Sequence, residues 1–465
     1  MSDTTTGYHQ IKALAKERGM TIRDTLVLAN QNDPFYAGSP ASCARAEWFS
    51  DAWKRAGYTK GVHLRRIHYR LLSEEGLVRH DGVPYTNTEM CWDYLCSAGK
   101  AARYLRLVDV DAFVDHRNPP PVVTMTAPLE ATEPTVDIDT SPGWSLPRIT
   151  SHLEWMIDLA MPAPLVSGYA YNTADQPYLL ELWIEKSTMN DVLLPVCHVL
   201  GINFATSAGF QSITNVVALI KRIKALDKPA RVFYISDFDP GGDSMPVAVA
   251  RQLEYWLQDA VHGGPHDVKL VPLALTAEQV RDYGLPRKPV KESDLRRASF
   301  EAQHGEGAVE LDALEAIHPG ELARIVRAAA APYRDRELAT KTVDARLEAQ
   351  DAADTAWRDA TLDIRRELRD VHGEARQVVA RYEERLSALA DELAADLAPL
   401  EERVDGVRHA VQVAAEAFTV ELPQVDASAP GDADADGWLF DAGRPYLDQL
   451  AVYKQRQSQS GPGGG

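Results

Sequence analysis

The middle of the chain alternates between short apolar runs and longer amphipathic segments. Apolar runs bounded by turn residues are typical of buried parallel strands, and the segments between them have the period of crossover helices. The pattern predicts strands at Tyr178–Glu185, Ile202–Ser207, Arg231–Ser236 and Val268–Leu273. It predicts helices between them at Asn190–Leu200, Ile213–Leu226 and Asp243–Ala260. We therefore expect an α/β domain of the doubly wound type.

The region before this domain has helical periodicity. Between Gly61 and Gly76 the apolar residues suit one face of an amphipathic helix, with arginines falling between them. A glycine-containing turn and a second helix, Tyr94–Leu107, follow. This order resembles a winged-helix or helix-turn-helix arrangement, which is a common way of docking on DNA.

The chain after Pro332 changes character and becomes rich in Ala, Glu, Arg, Asp and Leu as far as about Ala417. Sustained helical periodicity with hardly any helix breakers predicts long helices or a coiled coil. We expect a hairpin that is interrupted near Gly373 or Pro399.

Composition sets the remaining boundaries. The run Asn118-Pro-Pro-Pro121 and the Pro, Thr and Asp residues after it indicate a linker, and the acidic stretch Pro423–Gly437 and the Ser/Gly-rich end indicate disorder. The predicted fold class is α/β plus α: a winged-helix (CAP-like) domain, a Rossmann-like domain and a long-helix extension. The predicted divisions are 1–117 (winged helix), 118–150 (linker), 151–333 (α/β domain with its closing segment), 334–421 (helical extension) and 422–465 (acidic tail).

The charge is unevenly distributed along the chain. The formal net charge is −19, which argues against nucleic-acid binding as a general property of the surface. The segment 54–106, however, holds ten basic and five acidic residues. Because phosphate neutralisation depends on local charge, this segment is a candidate DNA-contacting surface.

Two classes of protein are disfavoured by the sequence. Apolar runs are too short to span a bilayer and the N-terminus lacks a signal-peptide layout, so we expect a cytoplasmic protein with no membrane partner. The four cysteines have neither CxxC pairing nor a nearby histidine at zinc-ligand spacing, and we expect reduced core thiols: Cys43, Cys91, Cys96 and Cys197.

Candidate chemistry is concentrated at two predicted strand ends. Asp237 and Asp239 follow one strand and, being two residues apart, can face the same cation. Glu185 ends an earlier strand, and the carboxyl ends of such strands are where ligands bind in open α/β sheets. Three carboxylates form a hard oxygen site suited to Mg²⁺ or Mn²⁺ and to phosphoryl transfer, with Glu185 as a candidate general acid or base. The alternative is that the two aspartates only cap the turn before the next helix.

Glu185-Lys186, the sequence Asp237-Phe-Asp-Pro-Gly-Gly242 and their strand-helix context resemble a Toprim domain. The closer resemblance is to the A subunit of topoisomerase VI and its relative, the meiotic double-strand-break transesterase. Segments at Tyr283–Pro286, Val309–Leu314 and Pro319–Leu322 resemble the part that closes the domain in that family. The resemblance implies metal binding by Glu185, Asp237 and Asp239, and we expect Lys186 to contact DNA.

The same resemblance extends to a tyrosine nucleophile. The family's winged-helix motif matches Leu64-Arg-Arg-Ile-His-Tyr69-Arg70, so Tyr69 takes the position of the nucleophile, although Arg66 and His68 depart from the motif. Cations beside a phenol favour loss of its proton. The alternative is that Tyr69 packs in the core, and we interpret His68 as a polar residue on the helix face. The residues expected to contact DNA here are Arg65, Arg66, Arg70 and Arg103.

Three functions follow as hypotheses. The first is a homodimer that cleaves double-stranded DNA by Tyr69 attack on a phosphodiester, with Mg²⁺ or Mn²⁺ at the carboxylates. Because the chain has no GxxxxGK[ST] loop, a topoisomerase activity would need a separate ATPase subunit. The second is a metal nuclease that hydrolyses DNA without the tyrosine, and the third is a non-catalytic DNA-binding scaffold.

Overall fold

A computed structural model describes residues 3–115, 118–126, 133–141, 143–147, 160–207, 209–258, 266–382, 390–432 and 437–458. The chain divides into two compact units, residues 1–127, 176–334 and 429–465 in the first and residues 128–175 and 335–428 in the second. Among the described helices, none combines the length and the apolar character needed to cross a membrane.

The elements are numbered here in chain order. The strands are β1 Thr135–Ile138, β2 Pro164–Ser167, β3 Leu179–Ile184, β4 Asn203–Thr206, β5 Ala230–Ile235, β6 Val268–Ala274 and β7 Phe440–Asp441. The helices are α1 Asp3–Glu17, α2 Pro40–Ala56, α3 Leu64–Leu72, α4 Glu89–Tyr104, α5 Asn190–Leu200, α6 Ile213–Leu226, α7 Pro240–Leu257, α8 Ala277–Asp282, α9 Arg297–His304, α10 Leu311–Ile317, α11 Glu321–Ala330, α12 Leu338–Ala360, α13 Leu362–Tyr382, α14 Ala390–Glu416 and α15 Tyr446–Ser458.

The first unit is organised by a five-stranded sheet of order β4-β3-β5-β6-β7. Strands β3 to β6 pair in parallel, and β7 adds to the β6 edge in the antiparallel direction. The mixed α/β class is confirmed, and the four predicted strands are present with ends shifted by at most one residue. Their continuous apolar runs reflect burial on both faces, since every residue of β3, β4 and β5 is buried.

Helices cover the two faces of this sheet. On one face Leu182 and Ile184 of β3 share a core with apolar residues of α5 and α11. On the other face Glu181 accepts two hydrogen bonds of 2.9 Å from Arg222 of α6. That carboxylate is completely buried and also accepts a hydrogen bond from Asn203, so its charge is compensated. It lies on the face of β3 opposite to Leu182 and Ile184, because successive side chains of a strand point to opposite faces.

Helices α2, α3 and α4 form the N-terminal part of the first unit. Helix α4 packs on α2 at a close approach, where a Cβ on Gly99 would lie 3.2 Å from the Phe49 ring. Between α3 and α4 the chain turns back on itself, with Arg79 N–H donating to Val83 O and Tyr85 N–H donating to Leu77 O. The two helices and the turn between them were predicted from sequence, whereas α2 was not.

The second unit is built on α12, α13 and α14. Buried apolar residues of α14 recur at intervals of four and three residues, the spacing of a coiled-coil seam: Leu393, Leu397, Leu400, Val404, Val407 and Val411. Arg403 of α14 pairs with Glu367 and Glu374 of α13, whereas Tyr382 pairs with Asp396, so the two helices run antiparallel. The predicted breaks are wrong, because Gly373 and Pro399 lie inside helices.

Two segments differ from the sequence prediction. Part of the predicted linker 118–150 forms β1, which pairs with β2, and its Trp144 and Leu146 are buried against α13 and α14. In the predicted disordered tail 422–465, residues 440–441 form β7 and residues 446–458 form α15. A few large apolar residues within a polar composition account for both differences. Parts of the predicted linker and tail lie outside the described residues: 127–132, 142, 148–150, 433–436 and 459–465. The same holds for parts of the other predicted elements: 116–117, 151–159, 259–260 and 383–389.

Arg231 joins the C-terminal segment to the sheet. Its side chain is 1% exposed, donates to Asp267 at 2.9 Å and to Asp432 at 2.8 Å, and lies 4.9 Å from the Tyr178 ring centroid. Asp432 also accepts from Lys269 and Tyr333. Although burial alone would raise it, these donors lower the pKa of Asp432 to about 2, so the carboxylate remains charged at neutral pH.

We expect Asp432→Ala to lower the free energy of unfolding by about 3 kcal/mol, because it leaves the buried Arg231 guanidinium without its closest carboxylate. Urea denaturation followed by tryptophan fluorescence measures the change. Asp426→Ala removes an exposed aspartate from the same segment and should change stability by less than about 0.5 kcal/mol. Equal effects of the two substitutions would contradict the stabilising role of this ion pair.

Candidate functional site

The predicted carboxylates lie at the carboxyl ends of two neighbouring strands. Glu185 follows β3, and Asp237 and Asp239 come just after β5. Because β3 and β5 pair in parallel and Glu185 N–H donates to Ile235 O at 3.1 Å, the two strand ends lie at the same edge of the sheet. Phe238, between the aspartates, is buried against the Phe300 ring at 5.1 Å between centroids.

The turn from β5 into α7 depends on a glycine. A Cβ on Gly242 would lie 1.9 Å from the Asp237 carbonyl oxygen, so no larger residue fits the turn. Asp239 is the N-cap of α7 and accepts a hydrogen bond of 2.7 Å from Gly242 N–H. Asp239 therefore has the capping role of the alternative interpretation, but capping occupies one of its oxygens and its side chain is only partly buried.

Asp237 is bound on both oxygens. Leu311 N–H donates to its Oδ1 at 2.9 Å, and Lys186 Nζ lies 2.7 Å from its Oδ2. Lys186 also pairs with Glu310 at 3.2 Å and Asp312 at 3.5 Å. The prediction that Lys186 contacts DNA is therefore not supported, because three carboxylates already surround its ammonium group. The segment at 309–314 that resembled the end of the Toprim family's domain carries two of these carboxylates.

Glu185 has the fewest compensating contacts of the three carboxylates. Its Oε2 is buried and has no hydrogen-bond partner among the described residues. Burial, followed by repulsion from Asp237 and Asp239, raises the pKa of Glu185 to about 7. The folded chain thus holds a carboxyl group that is half protonated near neutral pH.

The donor set fits a divalent metal in its chemistry. Three carboxylates on two strand ends supply the oxygen ligands that Mg²⁺ and Mn²⁺ prefer. The Oε2 of Glu185 has no hydrogen-bond partner among the described residues that would compete with a metal ion. Within the described part of the chain, however, no group of three His, Cys, Asp or Glu side chains converges on a single metal position. One of the three carboxylates, Asp237, is instead paired with the ammonium group of Lys186.

Arg296 is a neighbour of the carboxylates that sequence reasoning missed. Its guanidinium is held by Asp294 at 2.9 Å, and a Cβ on Gly241 would lie 3.8 Å from its Nη2. Asp294 is the main cause of the raised pKa of Arg296, and Asp239 and Glu185 contribute to it. The signal in the sequence was the basic run Arg287–Arg297, which has no recognisable motif. Arg296 places a permanent positive charge next to the carboxylates.

Tyr69 lies on the exposed face of α3. It is 63% exposed, and Arg65, Arg66 and Arg70 are exposed on the same helix, whereas Ile67 and Leu71 are completely buried. The spacing of three and four residues puts Tyr69 beside the arginines on one surface. The alternative in which Tyr69 packs in the core is wrong. No hydrogen bond or ring contact of the described residues joins Tyr69 to the three carboxylates.

Two other predictions about this region are corrected. His68 is not a surface residue: it is 5% exposed, and its Nδ1 lies 2.6 Å from Tyr85 Oη. Arg103 is not presented to DNA, since its guanidinium lies 4.8 Å from the Phe113 ring centroid and donates to Thr214 Oγ1 at 3.4 Å. Burial lowers the pKa of Arg103 to about 10. Both side chains stabilise the N-terminal helices.

Comparison with known proteins adds no further assignment. No protein-family model matches the chain, and no curated protein matches it by sequence. The resemblance to Toprim domains and to the DNA-cleaving chain of topoisomerase VI therefore stays a prediction. What the chain does has to be inferred from the carboxylates at the sheet edge and from the basic face of α3.

Proposed function

We propose that this protein cleaves double-stranded DNA in a reaction that depends on Mg²⁺ or Mn²⁺. The observation that carries the proposal is the buried Oε2 of Glu185, without a hydrogen-bond partner among the described residues, next to Asp237 and Asp239 at the end of two parallel strands. Asp237 and Asp239 repel the charged form of Glu185, and Lys186 pairs with Asp237, so a bound cation would relieve the repulsion that is left at Glu185. When bound there, the metal would neutralise charge that develops on a scissile phosphate.

The chain's own residues support phosphodiester chemistry in three ways. Glu185, whose pKa is near neutrality, can give a proton to a leaving 3′ oxygen and accept it back. Lys186, which also pairs with Glu310 and Asp312, holds the Asp237 carboxylate in position. Arg296, beside Asp239, can bind a phosphate oxygen of the same strand.

Tyr69 is the proposed nucleophile, and its exposed phenol oxygen would attack phosphorus while the 3′ oxygen leaves. Arg65, Arg66 and Arg70 are exposed on the same helix and supply positive charge that would bind the DNA backbone. The resemblance to topoisomerase VI implies that Tyr69 of one copy of the chain meets the carboxylates of a second copy. We therefore infer that the site is completed between two copies, and no hydrogen bond or ring contact of the described residues joins Tyr69 to the carboxylates within one chain. Such a homodimer would cut both strands, and strand passage would require a separate ATPase subunit.

A hydrolytic nuclease is the second candidate. The same separation of Tyr69 from the carboxylates favours it, because the carboxylates can then act without the tyrosine. In that reaction a water molecule replaces the phenol as nucleophile and no protein–DNA bond forms. The two candidates share the metal site and differ only in the attacking group.

We expect purified protein with Mg²⁺ or Mn²⁺ to linearise supercoiled plasmid and to leave DNA ends that enter a gel only after protease treatment. Tyr69→Phe should abolish the covalent adduct, and Asp237→Asn should reduce cleavage at least about 100-fold. Tyr8→Phe and Asp191→Asn change an exposed tyrosine and an exposed aspartate elsewhere and should have no effect. Protease-independent ends that require Asp237 but not Tyr69 would establish the nuclease, and plasmid left intact by the wild type would favour a DNA-binding scaffold.

Glu185→Gln should raise the melting temperature in EDTA at pH 8. Because the pKa of Glu185 is raised from 4.5 to about 7, its ionisation destabilises the folded state as pH rises through this range. The difference should vanish below pH 4.5, where the wild-type carboxyl is protonated in both states. Differential scanning calorimetry measures both curves, with the exposed Glu348→Gln as control.

The same calorimetric experiment tests the metal. Mg²⁺ at pH 8 should stabilise the wild type, because an ion that binds only the folded state shifts the unfolding equilibrium. Glu185→Gln should lose that stabilisation, whereas Glu348→Gln should keep it. An identical Mg²⁺ effect in all three proteins would rule out a metal at Glu185.

Removing the basic face of α3 should weaken DNA binding. Arg66→Ala combined with Arg70→Ala should reduce affinity for a duplex and lower the slope of log affinity against log salt by about 0.9 for each phosphate that the variant no longer neutralises. Fluorescence anisotropy over a salt series measures both quantities. Arg281→Ala, an exposed arginine paired with Asp282, is the matched control. An unchanged slope in the double variant would exclude α3 from the DNA interface.

A further inference from the structure

A polar cleft of about 400 Å³ lies in the first unit on the side of α7. It is lined by the loop at residues 30–36, the first turns of α7 and the C-terminal helix α15. Asp243, in its wall, is four residues after Asp239, and four helical residues correspond to about 6 Å of axial rise. The cleft is therefore a neighbour of the carboxylate site but is built from other residues.

The acidic groups in the cleft wall are already satisfied. Asp33 accepts backbone N–H groups from Phe35 at 2.9 Å and from Ala37 at 2.7 Å, so it fixes the loop. Asp243 pairs with Arg456 at 3.0 Å. A negatively charged ligand would meet carboxylates that already have donors or a cation beside them.

Lys454 and Arg251 are two further cations in the wall. Lys454 Nζ has the neutral Asn32 Oδ1 as partner at 3.3 Å, and no carboxylate in the described part of the chain forms an ion pair with it. Arg251 is 4% exposed and lies over the Tyr453 ring at 4.8 Å from its centroid. Its Nη2 donates to Asn32 O, while its Nη1 has no hydrogen-bond acceptor among the described residues and lies 3.6 Å from Glu254. Among the charged side chains that line the cleft, three are cations, Arg251, Lys454 and Arg456, and two are carboxylates, Asp33 and Asp243.

Tyr36 lines the cleft, and both its exposure and its backbone conformation are unusual for an aromatic residue. Its side chain is 79% exposed, and its backbone has φ of 55°, a left-handed conformation that bulky residues rarely adopt. The ammonium group of Lys100 lies 5.9 Å from its ring centroid. An exposed aromatic ring held in a strained conformation beside a charged cleft is typical of a ligand-binding position, and aromatic rings are the surfaces on which nucleobases stack.

We propose that this cleft binds a nucleoside phosphate, with the base stacked on Tyr36 and the phosphate held by Lys454 and Arg251. The ligand is either a free nucleotide or the terminal nucleotide of a DNA strand, since both offer one base and one phosphate monoester. The binding needs none of the three carboxylates. It therefore stands or fails independently of the proposed cleavage reaction.

The test is isothermal titration calorimetry on the full-length protein in EDTA. The first probe is adenosine 5′-monophosphate. The other two are a short oligonucleotide with a 5′-phosphate and the same oligonucleotide with a 5′-hydroxyl. Tyr36→Gly removes the ring and suits the positive φ, whereas Tyr36→Phe keeps the ring. Lys454→Ala removes the cation, and Lys221→Ala, an exposed lysine of α6 paired with Asp111, is the matched control.

We expect Tyr36→Gly and Lys454→Ala each to weaken binding at least about tenfold, or 1.4 kcal/mol, with Tyr36→Phe and Lys221→Ala close to wild type. Binding of the mononucleotide with this dependence would identify a nucleotide site. Binding of the 5′-phosphorylated oligonucleotide alone, with the same dependence, would identify a strand-end site. The proposal would be overturned if the wild type bound none of the probes, or if Tyr36→Gly and Lys454→Ala bound them as tightly as the wild type does.

Discussion

Mutual repulsion among Glu185, Asp237 and Asp239 is the constraint around which the first unit is arranged. Two parallel strands bring these carboxylates to one edge of the sheet, where burial already disfavours the charged form of Glu185. The chain offsets the cost locally by giving Asp237 an ammonium group and a backbone N–H and by giving Asp239 the N-terminus of α7. The described residues give the buried Oε2 of Glu185 no such partner, so the charge of this carboxylate is the one that the site leaves uncompensated.

The sheet and the carboxylates could be predicted from sequence because both depend on local patterns. Buried parallel strands have a continuous apolar signature, and a pair of aspartates two residues apart at a strand end has a definite geometry. The surroundings could not be predicted in the same way. Lys186 meets Glu310 and Asp312 across more than 120 residues of chain, and the position of Arg296 beside Asp239 follows from tertiary packing alone.

Composition was the least reliable guide. Pro, Thr and Asp residues concealed β1 and the buried Trp144, and acidic residues concealed α15 and the Asp432 partner of Arg231. In each case a few large apolar or charged side chains form contacts with residues far away in sequence. Average polarity over a window does not detect such contacts. For the same reason, a net charge of −19 says little about the exposed arginines on α3.

The sheet of the first unit is completed late in translation, because its edge strand β7 comes from the last of the unit's three stretches of chain. The unit is assembled from three stretches of chain, and residues 335–428 of the second unit are translated before the last stretch begins. Until residues 440–441 have been made, β6 remains an edge strand whose backbone groups on that side have no β-partner. The nascent chain therefore carries an open sheet edge while the antiparallel helices of the second unit are already available to fold. Residues 429–465 complete the unit to which residues 1–127 belong.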